Sequence, residues 1–347
     1  MVMEALSRAD IEHLSLALDR AGRISIVSHT HPDGDAAGSS AAMLSYIKDM
    51  RSREVRLILP DTPPRTLMFL CPEGQTIIAS ESPDEAKRWI GSSDLIIVID
   101  LNELHRTEQL ESVITESKAE KILIDHHVGP DRIHFGTVFS ENEISSACEL
   151  LFWILMAMPD IKADATRLPA AAARALMAGM TTDTNNFANS VYPTTLEMAS
   201  TLLKAGVDRD DLLDRIYNRH RENRIRAMGY LQSSCMQITP RGAAYIIATK
   251  EIQERFDIRE GETEGLVNVP LAIEKVRISI FLKQDNGFFR VSIRSKAGTS
   301  ARVLAISSFH GGGHELAAGG KLFFPGDIPA PEDAAAYLET VTEQYLR

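Results

Sequence analysis

The pattern of apolar and polar positions changes twice along the 347 residues. In the first third, short continuous apolar runs, "RISIV" (23–27), "VRLIL" (55–59), "DLIIVID" (94–100) and "KILID" (121–125), alternate with stretches of helical spacing at 37–49, 83–90 and 106–117. Runs without a polar side are strands covered on both faces, and their alternation with amphipathic helices predicts a mostly parallel α/β sheet. From about 145 to 235 the spacing is helical throughout: "SSACELLFWILMAM", "ATRLPAAAARALMAGM", "TTLEMASTLLKAG" and a long polar helix, "DRIYNRHRENRIRAMGYLQSS". The last third returns to strands. "GAAYIIAT", "EKVRISIFLKQ" and "FFRVSIRSK" alternate with period two, and "DNG" at 285–287 marks a hairpin turn. "SARVLAISSFHGGGHELAAGG" reads as a compact helical or loop segment, followed by a strand "KLFF" and a last helix over 331–346. Together these predict an α/β chain of two domains with the active-site cleft between them. Residues 1–205 carry the mostly parallel sheet, 206–237 form a helical linker, and 238–347 make a smaller α+β domain.

Composition narrows the possibilities. A hydrophobic fraction of 44% with 24% charged residues is that of a globular protein. No apolar run is long enough to cross a membrane. The N-terminal stretch has acids early and Ser7 three residues before Asp10, which predicts a capped helix and not a signal peptide. Cys71, Cys148 and Cys235 are odd in number and far apart, which suits a reducing cytoplasm and argues against a disulfide or zinc framework. A net charge of −11 argues against nonspecific binding of duplex nucleic acid. The segment 271–324 runs the other way, with eight cations against three acids, and so suits an anionic substrate.

The chemistry concentrates at predicted strand ends. "IVSHTHPDGDAAGSS" (26–40) sets His29, His31, Asp33 and Asp35 side by side. Like charges this close cost stability unless something positive sits among them, so the stretch is either a solvated loop or part of a metal site. Asp100 closes a second strand and Asp125-His126-His127 a third, at the end of the sheet where open α/β folds bind ligands. Asp183, in "GMTTDTNNF", follows a helix of small residues. Singly these are a turn residue, a core imidazole or a helix cap. Together His29, Asp33, Asp35, Asp100, His126 and Asp183 supply two imidazoles and four carboxylates, which balance two divalent cations. Oxygen and nitrogen donors without a thiolate favour Mn²⁺, with Mg²⁺ next and zinc still compatible. Hydrolysis of a phosphate ester is the reaction such a pair of ions serves.

The segments "SHTHPDGDAAGS", "DHH" and "GGGHELAAGG" resemble the DHH phosphoesterase superfamily, in the subfamily with a DHHA1 domain. The architecture is most similar to the bacterial NrnA-like type, oligoribonucleases and 3'-phosphoadenosine-5'-phosphate phosphatases, and the resemblance spans nearly the whole chain. It implies that His29, Asp33 and Asp100 hold one metal, and that Asp35, Asp100, His126 and Asp183 hold the other, Asp100 bridging. His127 would touch the phosphate or the leaving oxygen. Arg106 matches an arginine of the family's second motif and would hold a phosphate or cap the helix after it. In the C-terminal domain, Gly311, Gly312 and Gly313 allow backbone N–H groups close to a phosphate beside His314, with a helix starting just behind. Arg294 is the expected phosphate fork. The basic run Arg215, Arg219, His220, Arg221, Arg224 and Arg226, interleaved with Asp214 and Glu222, reads as a solvated helix.

The resemblance implies a cytoplasmic, manganese-dependent exonuclease that releases mononucleotides from short single-stranded RNA. It would also hydrolyse small 3',5'-bisphosphonucleotides and have no membrane partner; a homodimer stays open. The alternatives are a cyclic-dinucleotide phosphodiesterase of the same build, or a nucleotide sensor without catalysis.

Overall fold

A computed structural model describes residues 6–347. The chain divides into two compact units, the first ending at Arg219 and the second comprising His220–Arg347.

The first unit is built on a six-stranded sheet. Its strands are β1 (Arg23–Val27), β2 (Glu54–Leu59), β3 (Thr76–Ile78), β4 (Leu95–Ile99), β5 (Glu120–Asp125) and β6 (Thr137–Ser140). They lie in the order β3-β2-β1-β4-β5-β6, every pair parallel. Alternate side chains serve opposite faces. Ile24, Ile26, Ile97 and Ile99 join the core under α1 (Arg8–Arg20) and α2 (Gly34–Tyr46), while Val27, Ile96 and Val98 pack with Ala86 and Ile90 of α3 (Pro83–Gly91) and Ile114 of α4 (Glu111–Glu116). Burial on both sides is why these strands read as unbroken apolar runs. Ser7 caps α1 by accepting from the Asp10 N–H, as the spacing predicts.

Two further helices matter for the site, α5 (Ala147–Ala157) and α6 (Ala170–Asp183). α2 is buried along its whole length and lies tight against α6. A Cβ on Gly179 would come within 2.2 Å of the Cys148 Sγ and 2.9 Å of the Gly34 carbonyl, and one on Gly38 within 2.7 Å of the Ala175 carbonyl. Absent side chains therefore set the spacing of these helices. The unit closes with α7 (Pro193–Lys204) and α8 (Arg209–Tyr217).

The second unit opens with α9 (Glu222–Tyr230) and carries a mixed sheet. Its strands are β7 (Gln237–Ile238), β8 (Ala243–Ala248), β9 (Ile278–Gln284), β10 (Phe288–Ser295), β11 (Gly312–Gly313) and β12 (Ala317–Phe323), in the order β11-β12-β10-β9-β8-β7. Only β8 and β9 run parallel. α10 (Lys250–Arg255) follows β8. Phe289, Val291 and Ile293 pack with α11 (Ala301–Ser308) and α12 (Ala334–Tyr345) in one core.

Several expectations need correction. The long polar helix is two helices, α8 and α9, parted at Asn218–Arg221. Arg221 leaves the helical region there and pairs with Asp257 and with Glu262 at 3.3 Å, contacts far away in sequence. No helix begins behind His314. "AAGGKLF" is β12, made a strand by its partners β10 and β11 despite its poor strand-forming composition. The helix expected over 106–117 is a 3₁₀ stretch, Leu104–Leu110, leading into the short α4. β3 and β6 are strands that the apolar pattern does not announce.

Candidate metal centre

In the order β3-β2-β1-β4-β5-β6 the chain direction of the connections reverses between β1 and β4, and ligands of open parallel sheets bind at the carboxyl ends of the strands beside that point. His29 stands two residues past the end of β1 and Asp100 follows β4 directly. Asp100 is held at φ 63°, a left-handed conformation that a non-glycine residue adopts at a cost, and its N–H is fixed by the Ile124 carbonyl at 3.0 Å. Ser28 ties the same strand ends together by donating to the Ile99 carbonyl at 2.8 Å.

The side chains converge in two overlapping sets. His29, Asp33 and Asp100 each offer a donor atom within 4.8 Å of the others, and so do Asp35, His126 and Asp183. Asp100 links them, with Oδ2 3.4 Å from His29 Nε2 and Oδ1 3.5 Å from His126 Nε2. His126 Nε2 also lies 3.8 Å from Asp35 and 3.9 Å from Asp183. His127 with Asp100 and His126 forms a third set of the same kind. All six carboxylates and imidazoles expected from the sequence are thus neighbours. The helices set the remaining vectors. Asp33 caps α2, accepting from the N–H groups of Asp35 and Ala36, and Asp183 is the last residue of α6, carried beside Asp35 by the close α2–α6 contact.

A layer behind these residues holds them in place. Asp35 accepts from the N–H groups of Ala147 at 2.6 Å and Cys148 at 2.8 Å, the positive end of α5. His29 Nδ1 donates to the Thr30 carbonyl at 2.7 Å, which leaves Nε2 as the nitrogen with a lone pair. His127 Nδ1 lies 2.7 Å from Asp125 Oδ1, and its Nε2 is 3.5 Å from the Arg106 guanidinium. The Asn142 side-chain amide faces the carbonyls of His126 and His127, and turned with its nitrogen toward them it donates to both, at 3.1 and 2.9 Å. Asp125 and Asn142 were not singled out as site residues from the sequence. Asp125 hides in the strand-closing triplet as a turn acid; Asn142 sits in a loop with no local signal. The "SSACE" capping pattern at 145–149 announces the helix start that holds Asp35.

The electrostatics ask for positive charge. Burial opposes charge on His126, but Asp100, Asp35 and Asp183 outweigh it and push the imidazole up to about 10. Burial likewise opposes charge on His29, and Asp100 overcomes it to raise that group too. Burial pushes the Asp35 carboxyl well above the usual range, joined by Asp100 and Asp183, while Asp100 is lowered because its two imidazoles outweigh its own burial. The raised imidazoles and the raised Asp35 carboxyl mark a buried cluster with an excess of negative charge. Asp100 Oδ1 is buried and has no hydrogen-bond partner among the described residues, an unmet acceptor in the middle of the cluster. The donor set and that orphaned oxygen both fit divalent metal ions.

Comparison with known proteins identifies the family. The N-terminal domain of the DHH family matches residues 23–180, and the DHHA1 domain matches residues 243–344. The chain belongs to the DHH family and carries a DHHA1 domain. It is by that membership a phosphate-ester hydrolase, of a kind that depends on metal. A Streptococcus mutans protein named probable bifunctional oligoribonuclease and PAP phosphatase NrnA is 29% identical over 85% of this chain and 88% of its own. The Bacillus subtilis bifunctional oligoribonuclease and PAP phosphatase NrnA is 26% identical over the same shares. Among solved structures, an exopolyphosphatase-related protein from Bacteroides fragilis superposes with a TM-score of 0.89 at 34% identity, covering 98% of this chain and 97% of that one.

The second unit places the other expected DHH/DHHA1 residues along β12. Gly311 faces the Gly319 carbonyl so closely that a Cβ would lie 1.9 Å from it, so the fold alone demands glycine there; Gly312 has open space around it. The His314 N–H closes the turn on the Ala317 carbonyl at 2.7 Å. Arg294 lies in β10 directly opposite Ala317. The cationic excess of 271–324 is smaller than the sequence count suggests. Glu260, outside that segment, takes Lys283 at 2.7 Å and Arg290 at 2.8 Å, and Asp285 also binds Arg290. The basic run is spent the same way: Arg215 on Asp211, Arg219 on Asp214 and Arg226 on Glu222. No helix among the described residues is long and apolar enough to cross a membrane.

Proposed function

We propose that the protein hydrolyses short single-stranded RNA to mononucleotides, and 3'-phosphoadenosine 5'-phosphate to AMP, in the cytoplasm. Two Mn²⁺ ions, or Mg²⁺ in their stead, would be held by His29, Asp33 and Asp100 on one side and by Asp35, Asp100, His126 and Asp183 on the other. The observation that carries this is the pair of donor sets joined through Asp100 at the sheet's ligand-binding edge. When bound, the ions supply charge against the phosphoryl oxygens and lower the pKa of water. The chain's own residues do the rest. Asp125 orients His127 through Nδ1, so that Nε2, beside Arg106, faces the phosphate or the departing oxygen. Arg294, His314 and the open backbone at Gly312 would bind a phosphate or base of the substrate, a contribution a small activated ester could not draw on.

The names and coverage of the relatives support this substrate class. A cyclic-dinucleotide phosphodiesterase and a noncatalytic sensor are the rivals. One panel separates them: purified protein with Mn²⁺ against an RNA dinucleotide, 3'-phosphoadenosine 5'-phosphate, cyclic di-AMP, pyrophosphate and bis-(p-nitrophenyl) phosphate. Turnover of the first two well above the third is expected. Preference for the cyclic substrate, or no turnover at all, would overturn the reading. His314→Ala and Arg294→Ala should lose dinucleotide activity while the small activated ester is hydrolysed almost as before.

A further inference from the structure

The residues proposed to hold the substrate lie at one end of β12. The other end carries an aromatic group with no role in that reading. β10 and β12 pair Phe288 with Phe323, Arg290 with Lys321 and Arg294 with Ala317, so these side chains share one face of the sheet, opposite the face packed into the core. The Phe288 and Phe323 rings lie 6.0 Å apart, and the Lys321 ammonium sits 5.1 Å from the centre of the Phe288 ring. His310 packs edge-on against Phe323 at 5.5 Å and is held by Asp327 at 2.8 Å; Asp327 also accepts the Phe323 N–H. The group is partly open, with Phe288 half-buried. Phe323 is 39% exposed, Lys321 is exposed, and Lys321 makes no ion pair among the described residues.

An exposed ring fixed by its neighbours, beside an ammonium that pairs with no carboxylate among the described residues, matches single-stranded nucleic acid. Bases stack on aromatic faces whatever their sequence, and a nearby cation takes the phosphate between them. Between the two ends of the face, Ser292 opposite Gly319 keeps the surface low. Phe323 lies six positions along the strand from Ala317, roughly 20 Å of track. A dinucleotide held at Arg294 would stop short of the rings, and a longer oligonucleotide would reach them. We propose that Phe288, Phe323 and Lys321 form a base-stacking subsite for single-stranded RNA, taking a nucleotide beyond the two held near Arg294 and His314. The occupant is RNA and not a second copy of the chain, because the exposed Lys321 ammonium stands beside the rings where a phosphate between bases would lie, and the acids nearest the rings are already paired, Asp327 with His310 and Asp285 with Arg290. This rests on the proposed function and extends it from dinucleotides to longer oligonucleotides.

The test uses the full chain and RNAs of two to five residues. KM is measured with Mn²⁺, and binding is measured by anisotropy with a chelator present. In wild type, the pentanucleotide should bind more tightly than the dinucleotide. Phe323→Ala and Lys321→Ala should each weaken pentanucleotide binding by about ten-fold while leaving dinucleotide KM and kcat unchanged. Phe323→Trp should restore affinity, and its fluorescence should be quenched by pentanucleotide but not by dinucleotide. Equal losses on both lengths would mean a merely structural role and overturn the proposal, as would unchanged pentanucleotide affinity. A shift in oligomeric state with RNA affinity intact would assign the face to a second copy and also overturn it. If wild type cleaves the dinucleotide yet gains no affinity with length, only the subsite falls. If wild type neither binds nor cleaves RNA, the proposed function falls with it.

Discussion

His126 and His127 are adjacent in sequence but differently employed. His126 points its Nε2 at three carboxylates, whereas His127 is turned by Asp125 and ends beside Arg106. His126→Ala should therefore lose bound metal. His127→Ala should keep it and lose turnover by about 10²–10⁴-fold, the usual worth of a positioned acid or base. Metal analysis of the two purified variants checks this, and the reverse pattern would exchange their roles. The same carboxylates predict a pH dependence of metal binding. Below a pKa of about 10 the His126 imidazole carries a proton that a metal ion must displace, so raising pH through the neutral range removes a competitor and affinity should rise. Calorimetry of Mn²⁺ binding in two buffers of different ionisation enthalpy should show proton release; release of none would contradict the assignment. Much of this centre is legible in the sequence, because each donor ends a strand or a helix and strand ends gather at one edge of a parallel sheet. Asn142 was not legible. Its partners are two backbone carbonyls, and nothing in the residues around it foretells them.

At the scale of elements, the centre depends on how closely two helices approach. Gly179 has Cys148 Sγ and the Gly34 carbonyl where a Cβ would stand. Gly179→Ala should destabilise the protein by about 1–3 kcal/mol and weaken metal binding, since α6 carries Asp183. Gly91→Ala, at the end of α3 with nothing near the new methyl, is the control and should not lower Tm. Thermal unfolding with metal titration of both variants decides whether packing, not glycine content as such, is responsible. The strands β1, β2, β4 and β5 could be read because burial on two faces erases the polar period. β3, three residues long, is too short to show any period. β12 was misread because Ala317, Ala318, Gly319 and Gly320 have little strand propensity of their own, and pairing with β10 and β11 overrides it. The break between α8 and α9 escaped for the same reason: the ion pairs of Arg221 join residues 36 and 41 positions away.

For the whole molecule, the charge distribution shows where counting residues along the sequence stops being informative. A net charge of −11 with a cationic stretch in the second unit suggests a basic groove, yet Glu260 and Asp285 reclaim much of that charge once the chain folds. What remains for an anionic ligand is a few placed groups and, in the first unit, a buried cluster of acids that needs cations of its own. The account of function stands on that cluster. Its most direct test is a titration of metal-free protein with Mn²⁺, following mononucleotide release from an RNA dinucleotide alongside bound metal, in wild type and in Asp100→Asn. Asp100→Asn keeps the shape of the side chain and removes the charge shared by both donor sets. Wild-type turnover should appear as the second ion binds and vanish with chelator, and the folded variant should lose turnover by orders of magnitude and bind fewer ions. Hydrolysis that persists in chelator, or near-wild-type turnover in folded Asp100→Asn, would contradict a two-ion phosphoesterase.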